Sequence, residues 1–164
     1  MREFSLNDIY AAAEKSRATI YTVIPGFRLI GLSPDDRVKR IKDWEGRIVS
    51  EWAEAAPGGS WPQQFRGKNY WELVLDAEAV LQEQIAMVEL AKLTGGWAEF
   101  IEPPTQAEAV YSRIFSDVNS RYVMGYYSSN KEHDGKRREV KIEVRDHPEY
   151  TVWGRKSYYA PKPN

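Results

Sequence analysis

The chain has 164 residues and a mass of 18.9 kDa, enough for one domain with a substantial core. Its 42% apolar and 29% charged residues exclude a disordered or fibrous protein. The 23 basic and 24 acidic residues leave a net charge of −1, which argues against a dedicated nucleic-acid-binding protein. The absence of cysteine excludes disulfides, thiolate metal sites and thiol nucleophiles.

The N-terminal segment has the pattern of a helix followed by a buried strand. Ser5 and Asp8 form an S-x-x-D capping box, which predicts a helix ending near residues 16–17. Residues 18–24 are a nearly continuous, β-branched apolar run closed by a Pro-Gly pair. Such a run is typical of a strand that is covered on both faces. A helix, a short turn and a buried strand form half of an α/β unit.

Two long helices are predicted in the middle of the chain. Ser33 before Pro34 predicts a helix start, and the pattern continues to about Ala55. Residues 57–69 are rich in Pro and Gly and are interpreted as a loop, and a second helix is predicted over 70–93. The apolar positions are Val38, Ile41, Trp44, Ile48 and Trp52 in the first helix, and Ala77, Val80, Leu81, Ile85, Val88 and Ala91 in the second.

A short strand and a last helix follow. Residues 97–101 alternate as in a strand, and Thr105 with Glu108 resembles another capping box. The helix after it has apolar residues at spacings of three and four, so its aromatic residues are predicted to be core residues. The stripe consists of Ala107, Val110, Tyr111, Ile114, Phe115, Val118 and Tyr122.

The C-terminal third changes to a strand-like period. Residues 122–127 are strand-like, and residues 140–144 alternate between apolar and charged side chains. The polar segment between them contains an Asp-Gly turn signal at 134–135. The pattern predicts an antiparallel β-hairpin with a long charged loop, and a further short strand over 151–153.

No catalytic or metal-binding pattern emerges from residue types and spacing. His133 and His147 lie in predicted loops and form no metal-ligand pair. The adjacent acids Asp35 and Asp36 fit the first turn of a helix better than a metal site. The sequence therefore predicts no catalytic residue, no metal ligand and no cofactor, and a protein that is not an enzyme.

Three stretches together carry a resemblance to a known family. They are "SLNDIYAAAEKSRATIYTVIP" (5–25), "LAKLTGGWAEFIEPPTQAEAVYSRIF" (90–115), and the ending with "VNSRYVMGYYSSN", "DGKRREVKIEV" and "GRKSYYAP" (118–161). In these stretches the chain resembles the von Willebrand factor A domain, in its Acidobacteria-type variant. The resemblance implies a single α/β domain over 1–164: part of a Rossmann-like three-layer sheet, a mainly helical insertion over 26–89 and a C-terminal antiparallel β-hairpin.

The resemblance covers only the C-terminal half of that family's domain. Von Willebrand A domains hold a divalent metal through a D-x-S-x-S motif, which this sequence lacks, so no metal ligand carries over. The strand predicted at 19–24 would lose its inner neighbour and present an open apolar edge. The preferred explanation is a gene start that lies internally, with the missing half upstream of Met1. The alternatives are that the insertion covers the edge or that the chain dimerises through it.

Three functions follow as hypotheses. The first is a non-catalytic protein-binding or adhesion-type module, the C-terminal half of a von Willebrand A-like domain. The second is a sugar or nucleotide binder, or an enzyme, that uses the aromatic segment 57–71 as a pocket rim. The third is an assembly element that pairs through the open strand edge.

The second hypothesis names specific side chains, since aromatic rings interleaved with cations can stack sugars or bases. Packing of Trp61 and Trp71 against the sheet is the alternative interpretation of the same segment. A protein partner or self-association is expected, with no nucleic acid and no membrane span, and the compartment is left open because relatives are often exported. The candidate surface residues are Trp61, Phe65, Arg66, Lys68, Tyr70 and Trp71.

Overall fold

The computed structural model describes residues 5–16, 18–55 and 68–162, and of residues 45–55 the backbone alone. The first helix, α1, spans Leu6–Lys15 and begins with the predicted capping box. The Ser5 hydroxyl oxygen accepts the N–H of Asp8 at 3.2 Å, and the Asp8 carboxylate accepts the N–H of Ser5 at 2.9 Å. The prediction of this helix start is confirmed.

Both long helices form where the sequence predicts them. Helix α2 spans Pro34–Ala55, and the Ser33 hydroxyl oxygen accepts the N–H of Asp36 at 3.2 Å. Helix α3 spans Tyr70–Leu93, and the side chain of Asn69 accepts backbone N–H groups of its first turn. Among the described residues, no helix is both long and apolar enough to cross a membrane.

A two-stranded parallel sheet lies between the helices. Strand β1 spans Thr22–Pro25 and strand β2 spans Ala98–Ile101, with Thr22 opposite Ala98 and Val23 opposite Glu99. Parallel strands joined by helices place the chain in the α/β class. The predicted first strand was too long at its N-terminal end, because residues 18–21 have no strand partner.

Helices lie against both faces of this sheet. On one face, the Thr22 hydroxyl donates to the Met87 carbonyl of α3 at 3.3 Å. On the other face, Arg113 of α4 (Ala107–Asn119) forms an ion pair with Glu99 at 2.9 Å. Helix α1 is on the α3 side, where the Tyr10 hydroxyl donates to the Ala86 carbonyl at 3.4 Å.

The main apolar core lies between α2, α3 and the loop that follows β1. It confirms the inward positions predicted for Val38, Ile41 and Trp44 of α2 and for Ala77 and Leu81 of α3. Ile48 and Trp52 lie outside the described side chains. The cluster consists of Phe27, Leu29, Val38, Ile41, Trp44, Leu73, Ala77 and Leu81.

The predicted capping box at the start of α4 is wrong. Residues Pro104–Gln106 form a 3₁₀ turn that continues directly into α4, and no side chain caps the helix at Gln106. The N–H of Ala107 already donates to the Pro104 carbonyl. Thr105 therefore lies inside the turn and not before a free helix end.

The predicted strand positions of the C-terminal hairpin are also wrong. Residues 122–127, 140–144 and 151–153 form no strand. Instead, β3 (Arg137–Glu139) pairs antiparallel with β4 (Ser157–Tyr159), so that Arg138 lies opposite Tyr158. The Arg138 guanidinium donates to the carbonyls of Asn130 and Glu132 at 2.9 and 2.6 Å, which holds the polar segment beside β3.

Glu14 of α1 connects this small sheet to the rest of the protein. Its carboxylate accepts from Ser157 at 2.6 Å, from Arg137 at 2.7 Å and from Tyr159 at 3.3 Å. Burial raises the pKa of Glu14, but the hydrogen bonds from Ser157 and Arg137 outweigh it and hold the pKa below its usual value. The ionised carboxylate is therefore part of the folded structure.

Candidate interaction surface

Helix α4 is fixed to the sheet by a polar cluster near the start of both strands. The Tyr21 hydroxyl donates to the Asp117 carboxylate, and Arg121 forms an ion pair with Asp117 at 2.8 Å. Arg121 also donates to the Gly95 carbonyl at 2.8 Å and to the Thr19 hydroxyl at 3.2 Å. These bonds fix both the position of α4 and its rotation about its own axis.

The same cluster shifts two pKa values in opposite directions. The hydrogen bond from Tyr21, which outweighs burial, lowers the pKa of Asp117 with help from Arg121. Burial and the bond to Asp117 raise the pKa of the Tyr21 phenol. Both shifts preserve a carboxylate that accepts and a phenol that donates, so they support a structural role for the cluster and not proton transfer.

One flank of α4 lies over β2. The Arg113 guanidinium covers the Trp97 ring at 4.5 Å from its centroid and bonds to Glu99, which is in β2. Val110 is the buried residue of the helix. Since successive residues are rotated by about 100° around a helix, residues on the flank opposite Arg113 point away from β2.

That opposite flank is apolar and exposed, which corrects the prediction that its aromatic residues are core residues. We call it the α4 stripe, and it consists of Tyr111, Phe115 and Val118; Tyr122, which the sequence assigns to the same face, lies beyond the end of α4 and is exposed as well. The exposed fractions are 52% for Tyr111, 66% for Phe115, 51% for Val118 and 92% for Tyr122. The predicted face extends over an arc of about 140°, and the two strands cover only the part that includes Val110.

Within the described residues, strand β1 has one free edge. Thr22 and Gly26 direct their N–H groups to the carbonyls of Trp97 and Ile101 in the β2 segment, at 3.2 and 2.8 Å. Because neighbouring residues of a strand alternate, Val23 and Pro25 point their backbone groups to the other edge. In the part of the chain that the structure describes, β1 has no strand partner besides β2.

Pro25 limits what this edge can bind. It has no N–H group, so the end of β1 offers an acceptor without a donor there. Val23 offers both a donor and an acceptor on this side. Strand pairing at the β1 edge is therefore centred on Val23 and confined to a few residues.

Helix α4 lies on the face of the sheet that carries the Val23 side chain. Arg113 contacts Glu99, and Glu99 is in register with Val23. Since residues opposite each other in a sheet point to the same face, Val23 and Glu99 both point towards the α4 side.

The structure describes three of the six candidate residues from the aromatic segment. Lys68 forms an ion pair with Asp76, and the Tyr70 hydroxyl donates to Asp35 at the start of α2. Trp71 packs edge-on against the Tyr70 ring, with centroids 5.4 Å apart, and is 73% exposed. The other three candidates, Trp61, Phe65 and Arg66, lie outside the described residues.

The described side chains of this segment are tied to one another and to the helix ends. Tyr70 connects the start of α3 to the start of α2 through Asp35, whereas Lys68 forms its ion pair with Asp76 of α3 itself. Among the described residues, no group of three His, Asp or Glu side chains is placed to hold a metal ion.

Sequence reasoning missed the residues of the α4 stripe as a functional candidate. Its signal is present in the sequence, since the apolar face of this helix is wider than a two-stranded sheet can cover. A comparison with known proteins found no match for this chain among family models, curated proteins or solved structures.

Proposed function

We propose that this chain is a non-catalytic protein-binding module, which recognises another polypeptide through the β1 edge and the α4 stripe. One observation carries the proposal: within the described residues, the small sheet leaves both a strand edge without a second partner and an exposed, uncharged helical stripe. Main-chain hydrogen bonds at a strand edge supply affinity, and neighbouring apolar side chains supply specificity.

The architecture favours a further strand at this edge. Parallel sheets are normally larger than two strands and covered by helices on both faces. Helices α1 and α3 lie on the same face of the sheet, while α4 lies on the opposite face. Connections between parallel strands of one sheet are right-handed. The connecting helices therefore lie on the same face of the sheet when successive strands are added on the same side. By this rule the next strand of the sheet is added at the free edge of β1, and the proposal assigns that place to the bound polypeptide.

This arrangement is also what supports the proposed relation to the von Willebrand A domain. In that interpretation the chain contributes the last two strands of a three-layer sheet, with residues 26–89 as a helical insertion between them. The given residues contain no D-x-S-x-S motif, so the proposal does not involve a metal site. Recognition would then depend on strand pairing and apolar contact.

A site-specific photo-cross-linker at Phe115 tests the proposal in extracts of the source cells. We expect an adduct of discrete mass from Phe115, and none when the same group replaces Leu75, an equally exposed apolar residue of α3. The adduct must also be lost when Tyr111→Asp places a charge in the stripe. Equal labelling from both positions, or none from either, would contradict the proposal.

A further inference from the structure

A cavity of about 600 Å³ lies between α4, β2 and the ring of Trp153, and we call it the α4 cavity. Its volume is within the range of about 300–1,000 Å³ that is usual for small-molecule sites. We infer that this cavity binds a neutral sugar, which stacks on Trp153 and is held through its hydroxyl groups by polar side chains of α4 and β2. The inference does not depend on the proposed function, because that function uses the opposite flank of α4.

Helix α4 supplies the polar wall of the cavity. Its contribution consists of Arg113, Ser116, Asp117 and the C-cap residue Ser120. Their spacings of three, one and three residues place them on one face of the helix, within an arc of about 100°. The residues of the α4 stripe lie on the opposite face, so the helix separates two surfaces of different chemistry.

The charges around the cavity are already balanced. Glu99 of β2 forms an ion pair with Arg113 at 2.9 Å. Asp117 forms an ion pair with Arg121 at 2.8 Å. An anionic ligand would compete with these two carboxylates for the guanidinium groups and would lie beside their negative charges. The cavity therefore favours a ligand without charge.

Hydrogen-bonding groups remain for such a ligand. The side chains of Glu99 and Asp117 are each 36% exposed, and a carboxylate has about four lone-pair positions. Ser116 and Ser120 are exposed, and their hydroxyls have no hydrogen-bond partner in the part of the chain that the structure describes. A sugar hydroxyl both donates and accepts, so it can bond to a carboxylate and to a serine hydroxyl at once.

Trp153 supplies a free aromatic face. It is 66% exposed, and its ring has no aromatic or cationic partner among the described side chains. Trp97, by contrast, already has Arg113 over its ring at 4.5 Å and Tyr21 against it edge-on at 5.4 Å. A sugar ring has a face of C–H groups, which can pack on an indole as other apolar groups do. Trp153 is therefore the stacking residue, and Trp97 is part of the wall.

The backbone that follows Trp153 is fixed against the rest of the protein. Gly154 approaches the turn after α3 so closely that a Cβ at Gly95 would lie 3.0 Å from the Gly154 carbonyl carbon. Arg155 donates to the Glu14 carbonyl of α1 at 3.0 Å. A stacking residue on a fixed backbone loses less conformational freedom when a ligand binds, which favours affinity.

The first test is an NMR titration of the ¹⁵N-labelled full chain with four neutral tetrasaccharides: cellotetraose, maltotetraose, mannotetraose and chitotetraose. We expect at least one of them to shift the indole N–H signals of Trp97 and Trp153 in a saturable manner. AMP is the charged comparison and should leave both signals unchanged. The absence of a saturable shift with every tetrasaccharide, or a shift with AMP alone, overturns the inference.

Substitutions then locate the bound sugar. Trp153→Ala removes the stacking ring from an exposed position, so circular dichroism should show an unchanged fold and the Kd should rise about tenfold or more. Ser116→Ala removes one hydroxyl and should raise the Kd about two- to tenfold. Trp71→Ala is the matched comparison, because it removes another highly exposed indole, and it should leave the Kd unchanged. Binding that is lost in Trp71→Ala, or unchanged in Trp153→Ala, overturns the inference.

Discussion

The side-chain oxygen of Gln84 accepts the backbone N–H of Leu29 at 2.9 Å, which joins α3 to the loop after β1 across 55 residues of sequence. The Gln84 amide nitrogen also donates to the Phe27 carbonyl at 2.8 Å. Both Gln84 and Leu29 are buried. One side chain therefore supplies the donor and acceptor that a neighbouring strand would offer, so that this loop can enter the core.

Removing this amide is expected to destabilise the protein strongly. Gln84→Leu leaves the N–H of Leu29 and the carbonyl of Phe27 without their partner in an apolar environment. At about 1–3 kcal/mol for each of the two unsatisfied groups, we expect a loss of about 2–6 kcal/mol in the free energy of unfolding. Denaturant titration measures it. Gln82→Leu, on the exposed side of α3, is the control and should change stability by less than about 0.5 kcal/mol.

Substitutions at Thr94 separate the effect of the side-chain hydroxyl on stability from the effect of side-chain volume. Its Oγ1 accepts the N–H of Ile20 at 2.9 Å and donates to the Ala91 carbonyl at 3.0 Å, and the residue is buried. Thr94→Val keeps the shape and removes both bonds, so we expect a loss of about 1–3 kcal/mol. Thr94→Ser keeps the hydroxyl and should retain the amide protection of Ile20 in hydrogen exchange. Equal protection in both variants would contradict this role.

The close approach at Gly96 predicts a steric effect. A Cβ at this position would lie 1.9 Å from the Ile20 carbonyl oxygen, which is backbone that cannot rotate away. We expect Gly96→Ala to separate the turn after α3 from the segment before β1 and to lower the melting temperature by several degrees, since overpacking costs about 1–3 kcal/mol or more. Gly125→Ala, which meets no atom within 4 Å, is the matched control. Equal melting temperatures for Gly96→Ala and Gly125→Ala would show that the close approach of Gly96 to Ile20 does not contribute to stability.

The lowered pKa of Glu14 predicts a pH dependence. Its stabilising contribution is fully present above the usual carboxyl pKa of about 4.3 and is lost as the pH falls through the lower folded value. At neutral pH, Glu14→Gln should cost about 1.5–3 kcal/mol, because it weakens bonds to a charged group. The difference from the unmodified chain should shrink below about pH 4.

An NMR titration of the Glu14 carboxyl checks the cause of this shift. Ser157→Ala removes the hydrogen bond at 2.6 Å, so the pKa should rise towards its usual value. A pKa that stays unchanged in this variant would mean that Arg137 and Tyr159 stabilise the carboxylate without Ser157.

Local sequence patterns determined the helices. The capping side chains of Ser5 and Asp8 act on amides of their own turn, so the start of α1 is readable without knowledge of the fold. The same is true of α3, which begins and ends at the predicted residues Tyr70 and Leu93. Helix boundaries depend on residues within four positions, and these are adjacent in the sequence.

Strand pairing could not be determined in this way. Residues 140–144 alternate between apolar and charged side chains, as a strand does, but β3 forms at Arg137–Glu139. The reason is that bonds between Glu14 and the segment that contains Arg155 and Ser157 hold β4 against α1. The partners that decide the pairing come from more than 100 residues away. The spacing of apolar residues around position 140 contains no information about these distant partners.

The sequence by itself determined the α/β class, the helices and the unusual width of the apolar face on α4. Only the tertiary structure decided which part of that face is covered. The bonds of Asp117 and Arg121 fix the rotation of the helix, so that Val110 faces the sheet and Phe115 does not. Burial depends on the number and position of neighbouring strands, whereas the amphipathic pattern depends only on the helix. The same aromatic residues that the sequence assigns to a core are therefore an exposed surface in the fold.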